Sequence, residues 1–267
     1  MFVQPNCPDD DLDQCNWNIA DRSVDWLNDS LKAYPGYFRV GLANGVTAEM
    51  TVANHTALYR FNFSSSAGVL NPVIAVDLVD LPKTRSTGNA VVDPSTGRLS
   101  GTGTFQPSFG IGNYDLYFCA DFSGASIRDT GVWMGTRAGT GPKNVSMVAD
   151  GIDNPGSLSA GTFTWFSSPA DNSITARVGV SFISVDQACS NAESEIPDFN
   201  FEQTLSTAVD TWNKKLNVIQ IDPTGIDENL LQTFWSGIYR TMISPQNYIG
   251  ENPLWSSDLP YYDSYYW

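Results

Sequence analysis

A mainly β chain, with an antiparallel sandwich over residues 36–185 and helices after it, is the architecture that this sequence predicts. Apolar and polar side chains alternate over many short runs, the two-residue period of half-buried strands. Turn-forming residues separate those runs at short spacing, with no helical period between them, as in a sandwich. After the break at Ile196-Pro197 the pattern changes to that of amphipathic helices.

Residues 1–35 are acidic and irregular. The first strong pair of strands is Tyr37–Leu42 and Val46–Val52, flanking Asn44-Gly45, a dipeptide that favours a type I′ hairpin turn. Further strands are expected at Ala57–Phe63, Val73–Leu78, Tyr114–Asp121, Val132–Met134 and Thr162–Phe166, and in the run Thr175–Val185. Asp93-Pro-Ser-Thr-Gly97 supplies turn chemistry between them. The glycine-rich stretch Gly101–Gly112 lacks the Lys-Ser/Thr of a phosphate-binding loop and a following helix, so it reads as a β loop.

Two helices follow. Phe201, Leu205, Ala208, Val209, Trp212, Leu216 and Ile219 recur on one helical face, with Asn200 as N-cap. The second helix, Asp227 to Ile243, carries Leu230, Leu231, Phe234, Trp235, Ile238, Tyr239 and Met242, is capped by Asp227 and stops at Ser244-Pro245. Burying such a set represents on the order of 10–20 kcal/mol. A face that wide calls for further helices beside it, and Leu231, Phe234, Trp235 and Ile238 are expected to stay unusually exposed without them.

The charge balance narrows the partners. With 14 Lys+Arg against 29 Asp+Glu the net charge is −15, which argues against nucleic acid and against an anionic membrane surface. Charged residues make up only 16%, so Ser, Thr, Asn and Gly carry much of the surface, as suits a secreted protein. Cys7 and Cys15 either close a short disulfide loop or stand as unrelated thiols. N-glycosylation sequons occur at Asn28, Asn54, Asn62 and Asn144. Met1-Phe-Val-Gln-Pro5 has no basic or apolar leader region, so the expectation is a cytosolic chain or one whose true N-terminus is missing. No run approaches the ~18 apolar residues of a membrane span.

Catalytic constellations are sparse. His55, the one histidine, is expected to be a surface turn residue rather than part of a triad. Asp9-Asp10-Asp11-Leu12-Asp13 offers hard oxygen ligands, but it lacks the glycine and the distal Glu of a defined calcium loop and reads as a solvated acidic turn. Trp255, Tyr261, Tyr262, Tyr265, Tyr266 and Trp267, interleaved with Asp258 and Asp263, combine flat apolar rings with acids. Sugars are bound by that mixture, and helix packing uses it equally.

Specific wording appears in Arg177–Ala188, Glu195-Ile-Pro-Asp-Phe-Asn-Phe-Glu202, Trp212-Asn-Lys-Lys-Leu216 and Phe234-Trp-Ser-Gly-Ile-Tyr-Arg-Thr-Met-Ile-Ser-Pro245. Ala33-Tyr-Pro-Gly-Tyr-Phe-Arg-Val40, Gly45-Val-Thr-Ala-Glu-Met-Thr51 and Tyr59-Arg-Phe-Asn-Phe63 belong with it. Together, in order over residues 32–267, these segments resemble glycoside hydrolase family 92, calcium-dependent exo-α-mannosidases, in its fungal branch.

The resemblance implies an N-terminal β-supersandwich of galactose-mutarotase type, a helical linker and a C-terminal (α/α)6 toroid. Mapped here, residues 1–196 are the β domain without its opening strands, 197–225 the linker helix, and 226–267 the beginning of the toroid. It implies an inverting hydrolase that releases mannose from α-1,2-mannosides of N-glycans or mannan, with mannose-containing glycans as partners, calcium as cofactor of the complete enzyme, and secretion of the parent protein. The family's acid, base and calcium ligands lie in toroid segments that match nothing here, so no catalytic or metal-binding residue is assigned and the chain alone is expected to be inactive. Trp255, Asp258, Tyr261, Tyr262 and Asp263 are expected near bound mannose. The alternative is a non-catalytic carbohydrate-binding sandwich.

Overall fold

The computed structural model describes residues 1–64, 70–78, 85–107, 112–147, 159–243, 249–254 and 256. In chain order the first strands are β1 (Phe2–Gln4), β2 (Lys32–Tyr34), β3 (Tyr37–Gly41), β4 (Val46–Val52), β5 (Thr56–Phe63), β6 (Val73–Ala75) and β7 (Arg85–Val92). They continue as β8 (Leu99–Phe105), β9 (Tyr114–Ser123), β10 (Ile127–Met134), β11 (Arg137–Gly139), β12 (Asn144–Met147), β13 (Ala160–Phe166) and β14 (Ser173–Ser181). Helices α1 (Val185–Glu195), α2 (Phe201–Leu216) and α3 (Glu228–Thr241) follow.

The strands form two antiparallel sheets. One is five-stranded in the order β1-β6-β13-β10-β11, the other nine-stranded in the order β12-β7-β8-β9-β14-β5-β4-β3-β2. Their facing sides share one core, in which Ile74 and Phe166 meet Phe61, Phe63, Ile174 and Ala176. Along the same seam, Val76 and Ala160 meet Val92, Leu99, Phe118 and Ala120. The outer side of the small sheet is closed by the N-terminal segment, where Trp17 stacks on Trp133 at 5.9 Å beside Phe163 and the Cys7–Cys15 disulfide. Covered on both faces, β13 has no solvated side, and all seven of its residues are buried.

The large sheet is covered on its outer side by α1 and α2. Leu58, Ile196 and Phe201 form that third core layer, with Leu205 at its edge. Burying each of these large side chains stabilises the helix layer by about 1.5–3 kcal/mol. Asn200 caps α2 by accepting from Gln203 N, and Asp227 caps α3 by accepting from Asn229 N and Leu230 N.

Several local expectations change. The β3–β4 loop is a type I turn rather than type I′: Gly45 N donates to Leu42 O, and only Gly45, not Asn44, has positive φ (+85°). A left-handed Gly after a type I turn gives a bulged three-residue hairpin, which also uses Asn-Gly. Residues 99–105 of the glycine-rich stretch form β8 rather than a loop. A Cβ on Gly101 would lie 2.0 Å from Asn89 O, so glycine there permits close strand approach; residues 108–111 lie outside the described residues.

The run Thr175–Val185 is not one strand. It ends at Ser181, and Val185 opens α1, capped by Ser184, whose side chain accepts from Gln187 N. α1 lies directly on the sheet. A Cβ on Gly179 would sit 2.2 Å from Ala188 O, and Cys119 of β9 is disulfide-bonded to Cys189 of α1. Helix α3 has no buried residue: Leu230 is 61% and Phe234 38% exposed, while Leu231, Trp235 and Ile238 are half-buried. Trp212 of α2 meets Tyr239 of α3 edge-on at 4.8 Å. The expected stop at Ser244-Pro245 lies outside the described residues.

Candidate functional site

The outer face of the large sheet, beside α2, carries the densest polar cluster. Register places Lys32 opposite Arg39, Arg39 opposite Glu49, and Glu49 opposite Arg60, a row of charges across four strands. Glu49 accepts from Arg60 Nε at 2.8 Å and Nη2 at 3.0 Å, from the Tyr37 hydroxyl at 2.7 Å and from Asn62 Nδ2 at 2.9 Å. Arg60 extends the row to Glu202 at the start of α2, and its guanidinium lies 4.1 Å from the Phe201 ring centre. Desolvation works to raise the Glu49 carboxyl, but hydrogen bonds from Arg60 and Tyr37 outweigh it and hold it below its ordinary value. Burial, reinforced by the bond to Glu49, pushes the Tyr37 phenol up to about 12.

Next to this cluster lies an open depression of about 400 Å³ lined by Lys32, Tyr37, Arg39, Thr47, Glu49 and Asn62. The Tyr34 and Tyr37 rings stand 5.0 Å apart at its side. Glu49 is fully engaged by four donor atoms, so it is a poor proton acceptor and serves to fix Arg60, Tyr37 and Asn62. Lys32 and Arg39, both exposed, remain as hydrogen-bond donors toward a ligand.

Two further ionic groups fasten the helices to the sheet. Asp121 accepts from Arg98 Nε at 2.6 Å and from Arg177 Nη2 at 2.7 Å. Arg177, 6% exposed, also donates to Ile196 O and stacks over Phe199, which adopts φ +56° in the α1–α2 turn. His55 is more than a turn residue. Its Nδ1 lies 2.7 Å from Glu195 Oε1, while the Asn54 and His55 amides donate to Glu195 Oε2. The hydrogen bond to Glu195 leads in raising the imidazole above its usual value. Glu195 is held below its own, the bonds from His55 outweighing desolvation.

Trp255, Asp258, Tyr261, Tyr262 and Asp263, the residues expected near sugar, lie outside the described residues. Of the sequon residues, Asn28, Asn54 and Asn144 are exposed, whereas Asn62 Nδ2 is held by Glu49. Calcium finds no fitting donor set among the described residues. Asp10 is committed to Arg128 and Asn71, and Asp11 to Asp13 N and Gln14. The Glu49–Arg60 pair was readable from sequence: the two residues flank the β4–β5 turn symmetrically and carry opposite charges. The tie between Asp121 and Arg177 had no such local signal.

The comparisons with known proteins align with this layout. Residues 1–181 match the glycosyl hydrolase family 92 N-terminal domain, and residues 187–266 match the family 92 catalytic domain. This chain belongs to glycosyl hydrolase family 92. The family 92 catalytic match begins in α1, so β14 is the last strand of the N-terminal match and α1 lies in the catalytic one. A protein of Arthroderma benhamiae named "uncharacterized secreted glycosidase" is 48% identical over 99% of this chain. The chain spans 35% of that relative's length.

Among solved structures, a family 92 inverting mannosidase from Bacteroides thetaiotaomicron aligns with TM-score 0.69 and 23% identity. The alignment covers 86% of this chain and 28% of that one. A family 92 glycosyl hydrolase aligns at TM-score 0.67 and 25% identity, over 84% of this chain and 30% of that one. A second B. thetaiotaomicron α-mannosidase, solved with mannoimidazole, aligns at TM-score 0.66 and 20% identity, over 84% of this chain and 28% of that one. At such identities the likeness carries the fold. Among the described residues no helix is long and apolar enough to cross a membrane.

Proposed function

We propose that this chain contributes the β domain and the first helices of the catalytic domain to a secreted exo-acting glycosidase that releases mannose from α-1,2-linked mannosides of N-glycans or mannan. The observation that supports it most is the ordered pair of family matches, N-terminal then catalytic, on one continuous fold. Mannosidase structures sharing that fold, and a relative named as a secreted glycosidase, point the same way. Residues 1–196 act as the β domain, 197–225 as the linker and 226–267 as the opening of the helical domain. The open apolar face of α3 fits a helix that packs on further helices.

In this reading Trp255, Tyr261 and Tyr262 stack on or border the sugar, and Asp258 and Asp263 bond its hydroxyls. Calcium belongs to the complete enzyme. Asn28, Asn54 and Asn144 accept glycans in the secretory pathway. Glycoside hydrolysis needs an acid and a base held about 5–10 Å apart across the scissile bond. Glu49, Asp121 and Glu195 cannot supply them, since each is saturated by cations or amides.

Mannose release from α-1,2-mannobiose tests the reading. The 267-residue chain is expected to release none, with or without calcium, while the longer protein carrying it does. Calcium-dependent release by this chain alone, abolished by Asp263→Asn, would place the active site here instead. The polar depression beside Tyr34 and Tyr37 favours a second reading, sugar binding by the sandwich itself. Mannoside binding by this chain that is lost in Arg39→Ala would support it.

A further inference from the structure

Ser181 ends β14 and also ends the N-terminal family match, and it meets a side chain from far along the sequence. Glu251, in the segment 249–254 after α3, is only 3% exposed. Its Oε2 accepts from Ser181 Oγ at 2.7 Å and from the Phe182 amide at 2.8 Å. Its Oε1 accepts from Asn191 Nδ2 at 3.0 Å. Asn191 in turn donates to Val180 O at 2.9 Å and accepts from Gln187 Nε2 at 2.8 Å, which fixes its orientation. Ser181 Oγ is fixed likewise, accepting from Ile183 N at 2.9 Å. A buried carboxylate held by oriented neutral donors is costly to move, because withdrawing it strands both the acid and the donors.

Leu254 is 77% exposed, and Gly250-Glu251-Asn252-Pro253 has the composition of a solvated turn. Four residues after Glu251 comes Trp255, the first of the residues proposed above to meet the sugar. The charge of Glu251 also acts on His55, whose ring is bound to Glu195. The β4–β5 turn, the end of β14, helix α1 and the segment after α3 therefore converge on one polar seam between the two family-matched regions.

We propose that Glu251 is a positioning residue: its carboxylate pins the chain after α3 to the β14–α1 junction and so sets where the aromatic-acidic tail begins relative to bound mannoside. The sugar-facing half of this statement rests on the function proposed above, while the pinning half rests on geometry alone.

Amide exchange in the 267-residue chain tests the pinning. In Glu251→Ala, the Phe182 amide and the amides of 249–254 should exchange about tenfold faster or more, the scale of a lost hydrogen bond to a charged group. Amides within β14 should keep their rates. Glu251→Gln keeps the volume and one acceptor oxygen for Ser181 and Phe182, and should restore most of the protection. Unchanged exchange at Phe182 in Glu251→Ala, or equal loss of protection throughout β14, overturns the proposal.

In the longer enzyme, Glu251→Ala should raise KM for α-1,2-mannobiose about tenfold with a smaller change in kcat, and Glu251→Gln should recover it. Unchanged KM in Glu251→Ala overturns the positioning role. If the wild-type enzyme releases no mannose, the functional reading fails and takes the sugar-positioning half with it. The pinning then stands or falls on the exchange rates.

Discussion

Helices α1 and α3 invert the relation between apolar content and burial. Helix α1 has little apolar surface, yet Ala188 and Ala192 are fully buried and Asn191 nearly so. It is held by close approach at Gly179, by the Cys119–Cys189 disulfide and by Asn191 bonded to Val180 O. Helix α3 carries Leu230, Leu231, Phe234, Trp235 and Ile238, and none of its residues is buried. The difference teaches that a helix's own apolar stripe states a demand, while burial depends on which surface answers it. Small side chains against a glycine on a sheet meet that condition for α1; α3 meets Trp212 through Tyr239 and leaves its apolar stripe without a buried residue.

The largest blow to the α1 side should come from Arg177→Ala. It removes a buried guanidinium that joins Asp121 to Ile196 O, and truncating one partner of such a pair costs about 3–5 kcal/mol. Denaturant unfolding should show it, and a loss under about 1 kcal/mol would mean that Arg98 alone satisfies Asp121. Replacing Cys119 and Cys189 together by Ala opens a link across 70 residues, and a loss of about 2–4 kcal/mol is expected from the same measurement. Gly179→Ala should cost about 1–3 kcal/mol by forcing α1 off the sheet.

A smaller effect is expected from the His55–Glu195 pair, and its pH dependence has a defined sign. The imidazole is raised, so its contribution is complete below the ordinary value of 6.5 and fades as pH climbs through the raised one. The Glu195 carboxyl is lowered, so its contribution is present above 4.5 and fades as pH falls through the lowered value. The stability lost in His55→Ala should therefore peak between those two pH values and shrink both as pH climbs through the raised imidazole value and as it falls through the lowered carboxyl value; a flat profile would show that the pair is electrostatically silent. On the α3 side, Leu230→Ser and Phe234→Ser should change the stability of this chain by no more than about 0.5 kcal/mol.

Much of the fold was legible because alternation and turn chemistry agreed at most strands. The hairpin of β3 and β4 and the N-caps Asn200 and Asp227 were readable from a few residues each. Helix α1 was not, because the strand-like run Arg177-Val-Gly-Val-Ser-Phe-Ile extends into its start and its buried side is made of Ala and Asn. The sign that was there is Ser184-Val-Asp-Gln187, a capping-box spacing. Strands β7 and β8 were hidden by Gly, Ser, Thr and Asn, whose pairing depends on backbone approach rather than on apolar alternation. The polar cluster around Glu49 follows from hairpin register, but the seam at Glu251 joins residues 70 apart and has no local pattern. The tail residues Trp255, Asp258, Tyr261, Tyr262 and Asp263 carry a signal in side-chain chemistry alone, and they lie outside the described residues.

Native-state amide exchange read across both helices in one sample tests the contrast most directly. Amides of α1 should exchange only with β14, in a shared opening near the global stability, whereas those of α3 should exchange through local openings orders of magnitude faster. Equal protection of α1 and α3, or early loss of α1 while β14 holds, would contradict the account.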